Sequence, residues 1–95
     1  MDNRGHIVQF EWDERKSSSN LEKHGIDFEE ACSLWLDPDA ISLDLEHRGE
    51  KRELLIAHYA GSCWAAIYTM RGQVVRIISV RRAVKGEVSL YDKWK

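Results

Sequence analysis

The spacing of apolar residues along the chain changes from alternating to helical and back to alternating, and each regime predicts its own element. Residues 7–12, IVQFEW, alternate and predict a short opening strand. Asp13 then offers an N-cap oxygen, and ERKSSSNLEKH (14–24) reads as a helix closed by Gly25. Ser17, Ser18 and Ser19 are mediocre helix formers, so this helix depends on tertiary packing. Asp27 with Glu30 makes a second start signal, after which Phe28, Ala31, Cys32, Trp35 and Leu36 share one helical face until Asp37-Pro38 stops it. From there the period falls to two. AISLDLE (40–46) sets Ile41, Leu43 and Leu45 on one side, and RELLIAHYA (52–60), CWAAIYTM (63–70) and QVVRIISV (73–80) follow as strands. HRGEK, Gly61-Ser62 and Arg71-Gly72 supply the hairpin connections. Residues 81–95 read as a closing helix with Val84, Val88 and Tyr91 inward, weakened by roughly 1 kcal/mol at Gly86. The order β-α-α-β-β-β-β-α indicates an α+β domain with a mostly antiparallel sheet packed by helices.

Composition narrows this picture. Ninety-five residues make a single domain, residues 1–95, able to bury about two-thirds of its unfolded surface. With 43% hydrophobic and 32% charged residues the chain is globular in type and not disordered. No apolar run approaches the roughly 20 residues that span a bilayer, and MDNRGHIVQFEW lacks a signal peptide's apolar stretch, so a cytoplasmic location is expected. Cys32 and Cys63 form no CxxC pair and are expected as reduced, buried thiols. The net charge of −2 gives no global argument for nucleic-acid binding, so any such argument must be local.

One stretch supplies it. RIISVRRA (76–83) sets Arg76 on a strand face with Val74, Ile78 and Val80, while Val75, Ile77 and Ser79 point the other way. A guanidinium there needs a carboxylate, a backbone partner or an anionic ligand; an internal ion pair, or an edge arginine reaching to solvent, satisfies it as well as a ligand does. Arg81 and Arg82 fall at the strand-to-helix junction, and with Arg71 and Lys85 they form a local basic cluster suited to phosphate. A second group recurs every four residues: Trp12, Lys16, Asn20 and His24. On a helix these offer charge, an amide, an imidazole and a stacking ring to a nucleotide. Spacing alone favours a core tryptophan and a histidine near the helix C-terminal dipole. His6, His24, His47 and His58 have no metal-binding spacing, no glycine-rich phosphate loop or nucleophile elbow is present, and neither metal nor cofactor is expected. Asp44, Glu46, Glu50 and Glu53 read as solvated hairpin charges or arginine partners.

These words also occur together elsewhere. FEWDERK, Asn20, KHGIDFEEA, GEKRE, TMRG and RIISVRRA, followed by Glu87 and Tyr91, resemble in that order the BrnT family of bacterial toxins, from about Phe10 to Tyr91. The resemblance implies a RelE-like fold, metal-independent ribonuclease activity and a place as the toxin of a type II toxin–antitoxin pair. It also implies a BrnA-type antitoxin, a 2:2 heterotetramer with it, and repression of the operon through operator DNA. Trp12, Asp13, Lys16, Asn20, Lys23, His24, Gly25, Arg52, Thr69, Arg71, Arg76, Arg81 and Arg82 stand on the family's motif positions.

RNA cleaves when its 2′-hydroxyl attacks the adjacent phosphate, which needs a proton acceptor, stabilisation of the phosphorane and a proton for the leaving oxygen. Arg76 with Arg81 or Arg82 is expected to stabilise the phosphorane, and Arg52 or Arg71 to hold a neighbouring phosphate. Lys16 or His24 is expected to move the proton, Trp12 to stack a base, and Asn20, Arg82 and Lys85 to contact RNA. An antitoxin helix with acidic and apolar residues would cover the arginines. Two other readings stay open: an inactive antitoxin-binding regulatory module, and a simple RNA-binding domain.

Overall fold

A computed structural model describes residues 8–95 and shows strand β1 (Gln9–Glu11), helix α1 (Glu14–His24) and a single helical turn α2 (Phe28–Ala31) that tightens into a 3-10 stretch (Cys32–Leu36). Strands β2 (Ile41–His47), β3 (Glu50–Tyr59), β4 (Ser62–Arg71) and β5 (Val74–Arg82) follow, and helix α3 (Lys85–Trp94) closes the chain. Ile7, the expected start of the first strand, and His6 lie outside the described residues.

Local chemistry sets the helix ends. Asp13 accepts from the Arg15 amide at 2.9 Å, and Gly25 ends α1 in the left-handed region at φ 81° with its N–H on the Leu21 carbonyl. Asp27 accepts from the Glu30 amide at 2.8 Å. The sequence predicts one helix through Leu36, but the winding tightens after Ala31. The tighter pitch buries Phe28, Ala31 and Leu34, three residues apart, and leaves Leu36 81% exposed.

The sheet runs β1-β5-β4-β3-β2, with β1 parallel to β5 and every other pair antiparallel. Among the described residues this is an α+β fold with a five-stranded, mostly antiparallel sheet and three helices. The β2–β3 and β3–β4 hairpins turn at Arg48-Gly49 and Ala60-Gly61, each with positive φ at both positions, the turn type that matches strand twist. The second turn therefore sits one residue earlier than the predicted Gly61-Ser62.

Between β4 and β5 the register slips. Tyr68 faces Ile77 and Ile67 faces Ser79, so Ile78 is an unpaired bulge residue. The slip reverses the alternation beyond it. Val80 therefore joins Val75 and Ile77 in the core under α2 and the 3-10 stretch, and does not share Arg76's face as the simple alternation predicts. The opposite sheet face carries Leu54, Ile56 and Ala65 beneath Tyr91 of α3. Val84 was expected inward, but it is the N-cap residue of α3 and is exposed; Val88 is half-buried.

The Tyr91 hydroxyl donates to Asp37 at 2.7 Å, and the same carboxylate oxygen accepts from the His58 amide at 2.8 Å, tying α3 to the loop before β2. Burial pushes the Asp37 carboxyl up, but these donors more than offset it and hold it below its ordinary value. Burial and Asp37 together raise the Tyr91 hydroxyl. Cys32 and Cys63 are unbridged and half-buried, and burial raises both thiols.

Candidate functional site

The α3 side of the sheet is only partly covered, and a row of charged side chains crosses the open part. Leu45 pairs with Arg52, Thr69 with Arg76, and Arg76 with Glu11. The β3–β4 ladder that matches Glu53 with Tyr68 brings Arg52 beside Thr69. Alternation from Leu54, Ile56, Ala65 and Ile67 puts the whole row on the α3 face. Strands lie about 4.8 Å apart, so the Arg52 and Arg76 backbones stand roughly 10 Å from each other. Arg71 projects from the same face two residues beyond Thr69.

Two carboxylates partly neutralise these arginines. Glu11 Oε2 accepts from Arg76 at 3.3 Å and lies 3.5 Å from Arg71 Nε. Glu50 Oε1 takes Arg52 Nε at 3.1 Å and a terminal nitrogen at 2.9 Å. The ion-pair reading of Arg76 is therefore met, yet among the described residues three guanidiniums stand against two carboxylates, an excess of positive charge. Each guanidinium has five donors, so several remain for an anion. Arg71 is 63% exposed.

Arg81 and Arg82 do not join this group. Strand β5 runs through both, so they are strand residues and not junction residues. Arg81 is five residues from Arg76, roughly 16 Å along the strand. It grips Glu87 with two bonds of 2.8 and 3.0 Å, while Glu87 also accepts from the Val84 amide. The Glu87 hydrogen bond raises the Arg81 pKa, and Arg81 in turn holds the Glu87 carboxyl below its ordinary range. This pair fastens α3 to the sheet. Arg82 turns to the other face, its guanidinium 4.9 Å above the Trp64 ring. Lys85 is exposed at the start of α3, at the Arg81 end of the strand. The structure thus sets Arg76 on the same stretch of the face as Arg71 and Arg52, and places Arg81 and Arg82 away from it.

Helix α1 builds a second feature. β1 pairs with β5 only as far as Arg76, and α1 lies along the rest of that edge. Asn20, 7% exposed, completes the strand: its amide nitrogen donates to the Val80 and Ile26 carbonyls, each at 2.9 Å, and its oxygen accepts from the Val80 amide at 3.2 Å. Ser17 accepts from the Phe28 amide at 2.8 Å. The buried side of α1 is therefore polar, and the helix docks through side-chain bonds to backbone. Asn20 is committed to this task and offers no free amide to a nucleotide.

Trp12 is half-buried, edge-on to Phe28 with centroids 6.5 Å apart, and its indole donates to Glu14 at 3.2 Å. It packs against the core cluster. What remains of the stripe lines a groove of about 270 Å³, where Lys16, Ser19, Lys23 and His24 face Ile78 and Ser79. Sequence reasoning passed over Glu11, whose only signal was its place in FEWDERK, and the role of Glu87 as Arg81's partner.

The arginine row and the basic groove occupy the span where a family match falls. The family model for the ribonuclease toxin BrnT of type II toxin-antitoxin systems matches residues 12–87, about four-fifths of the chain. The match takes in Lys16, His24, Arg52, Thr69, Arg71 and Arg76. No curated protein matches the chain. The extent of that match settles the assignment: the chain belongs to the BrnT family of ribonuclease toxins of type II toxin–antitoxin systems.

Proposed function

We propose that this protein is a metal-independent endoribonuclease that cuts RNA by attack of the 2′-hydroxyl on the adjacent phosphate, in a RelE-like fold acting in the bacterial cytoplasm. The observation that carries the reading is the row of Arg52, Arg71 and Arg76 on an open sheet face of a ribonuclease-family chain. As the 2′ oxygen bonds to phosphorus, charge builds on the non-bridging oxygens. Arg76 and Arg71 share one carboxylate oxygen in the free protein, so their donors converge on a spot the size of a phosphate oxygen. Arg52, across the row, holds a neighbouring phosphate. Lys16, Lys23 and His24 receive the strand beyond the β5 edge. Arg81 supports the site by holding α3, and Arg82 and Lys85 lie away from the reacting phosphate.

The type II family implies an antitoxin partner. We assign it the BrnA type, a 2:2 complex and operon repression through operator DNA. Ile41, Leu43, Leu90 and Trp94 line an apolar trough of about 410 Å³ between β2 and α3, with Trp94 67% exposed. The trough meets the arginine row where Leu45 pairs with Arg52. An antitoxin segment with apolar residues followed by carboxylates fits both parts at once and excludes RNA.

The reading is tested by controlled expression in a bacterium, following growth and total RNA beside an Arg71→Ala, Arg76→Ala double variant. Growth arrest with fragmented RNA for the wild type alone supports it. Intact RNA and normal growth in both cultures would favour the inactive regulatory module.

A further inference from the structure

Cleavage by a 2′-hydroxyl needs a proton acceptor within hydrogen-bond reach of the phosphate that the arginines hold. The side chains of the row itself narrow the choice. Arg52, Arg71 and Arg76 carry only donors and offer no acceptor. Glu50 is turned onto Arg52, and Glu53 is on the other sheet face, accepting from Tyr68 at 3.0 Å. Lys16 and His24 line the groove at the β5 edge with Ile78 and Ser79, not the row. Glu11 is the carboxylate that stands between Arg71 and Arg76.

Its placement is built into the fold. The parallel β1–β5 register sets Glu11 opposite Arg76 and Phe10 opposite Val75. Phe10 packs edge-on against Trp35 with centroids 5.2 Å apart on the core side, so Glu11 must face the arginines. Its contacts of 3.3 and 3.5 Å both fall on one oxygen and are longer than the roughly 2.7–2.9 Å of a tight charge-assisted bond. The carboxylate is 38% exposed. It is held loosely enough to release the guanidinium donors to a phosphate while staying beside it.

We propose that Glu11 is the general base of the cleavage, an assignment that rests on the ribonuclease reading above. As the 2′ oxygen forms its bond to phosphorus, its proton passes to the Glu11 carboxylate. The bond from phosphorus to the 5′ oxygen breaks, its electron pair leaves with that oxygen, and the oxygen takes a proton from water. The products are a 2′,3′-cyclic phosphate and a 5′-hydroxyl, and Glu11 returns its proton to solvent.

The test compares purified wild type and Glu11→Gln on a short single-stranded RNA under single-turnover conditions, with affinity measured on the same sequence carrying 2′-methoxy groups. The expected result is a cleavage rate about 100- to 1,000-fold lower with analogue affinity within about threefold of wild type, or tighter because one negative charge has left the row. Glu11→Ala should regain cleavage on addition of formate, and failure to do so counts against a proton-accepting role. Cleavage by Glu11→Gln within about threefold of wild type overturns the assignment; so does affinity falling in step with rate, which makes Glu11 a positioning residue for the arginines. A wild type that leaves the RNA intact would instead overturn the ribonuclease reading itself, which separates the two failures.

Discussion

Replacing Asn20 with alanine tests how α1 is held to the sheet. The substitution removes three hydrogen bonds and leaves the Val80 amide, the Val80 carbonyl and the Ile26 carbonyl without their partner. A buried polar group left unpaired costs about 1–3 kcal/mol, with carbonyls at the lower end. The three together amount to about 3–5 kcal/mol, a large share of the roughly 5–15 kcal/mol of a whole domain. In a chain this size each kcal/mol moves Tm by about 4–8 °C, so Asn20→Ala should lower it by about 12–40 °C. Asn20→Asp keeps the acceptor for the Val80 amide but sets a carboxylate against two carbonyl oxygens, and should lose as much. Thermal and urea denaturation followed by circular dichroism give the stability, and RNA affinity is measured at a temperature where both proteins are folded. A loss under about 1 kcal/mol, together with RNA affinity reduced more than about tenfold, would refute the structural role and restore Asn20 as a nucleotide contact.

Glu87→Gln should cost about 1–2 kcal/mol at neutral pH, since the Arg81 pair and the Val84 amide lose a charged acceptor. The folded pKa of Glu87 is depressed below its ordinary 4.5, so its stabilisation is full above that value and fades as pH falls through the lower folded value. Wild type should therefore lose more stability on acidification than the variant, and parallel denaturation curves across pH would count against this. Arg82→Ala should lose about 0.5–1 kcal/mol of stability with cleavage unchanged, because Arg82 stacks on Trp64 across the sheet from the row. Arg52→Ala should weaken RNA binding and reduce the slope of log affinity against log salt by about one; equal effects of the two variants on RNA would contradict the separation of faces. Leu43→Asp in the trough should weaken antitoxin binding at least about tenfold with RNA cleavage intact, read by titration calorimetry and a cleavage assay.

Features set by near neighbours were legible in the sequence. Asp13 and Gly25 act within a turn of themselves, and both ends of α1 fall where they indicate. Alternation placed the four long strands and their antiparallel order. What depended on pairing across the sheet was not legible. The Ile78 bulge arises from the register between β4 and β5, so alternation located Arg76 correctly and misplaced Val80. Parallel pairing of β1 with a strand more than sixty residues away brings Glu11 to Arg76, and no local pattern announces it. Asn20 shows the same limit from another side. Its place on one stripe of α1 with Lys16 and His24 was visible, but its bonds to Val80 exist only once β5 lacks a strand neighbour there.

The central claim is that the arginines of the row act on a phosphate. Its most direct test is cleavage of a short RNA by the purified protein in EDTA, with Arg76→Ala alongside and product ends identified by mass spectrometry. The account predicts fragments ending in 2′,3′-cyclic phosphate for the wild type and a rate at least about 100-fold lower for the variant. Equal cleavage by both proteins, or wild-type activity that vanishes in EDTA, would contradict it.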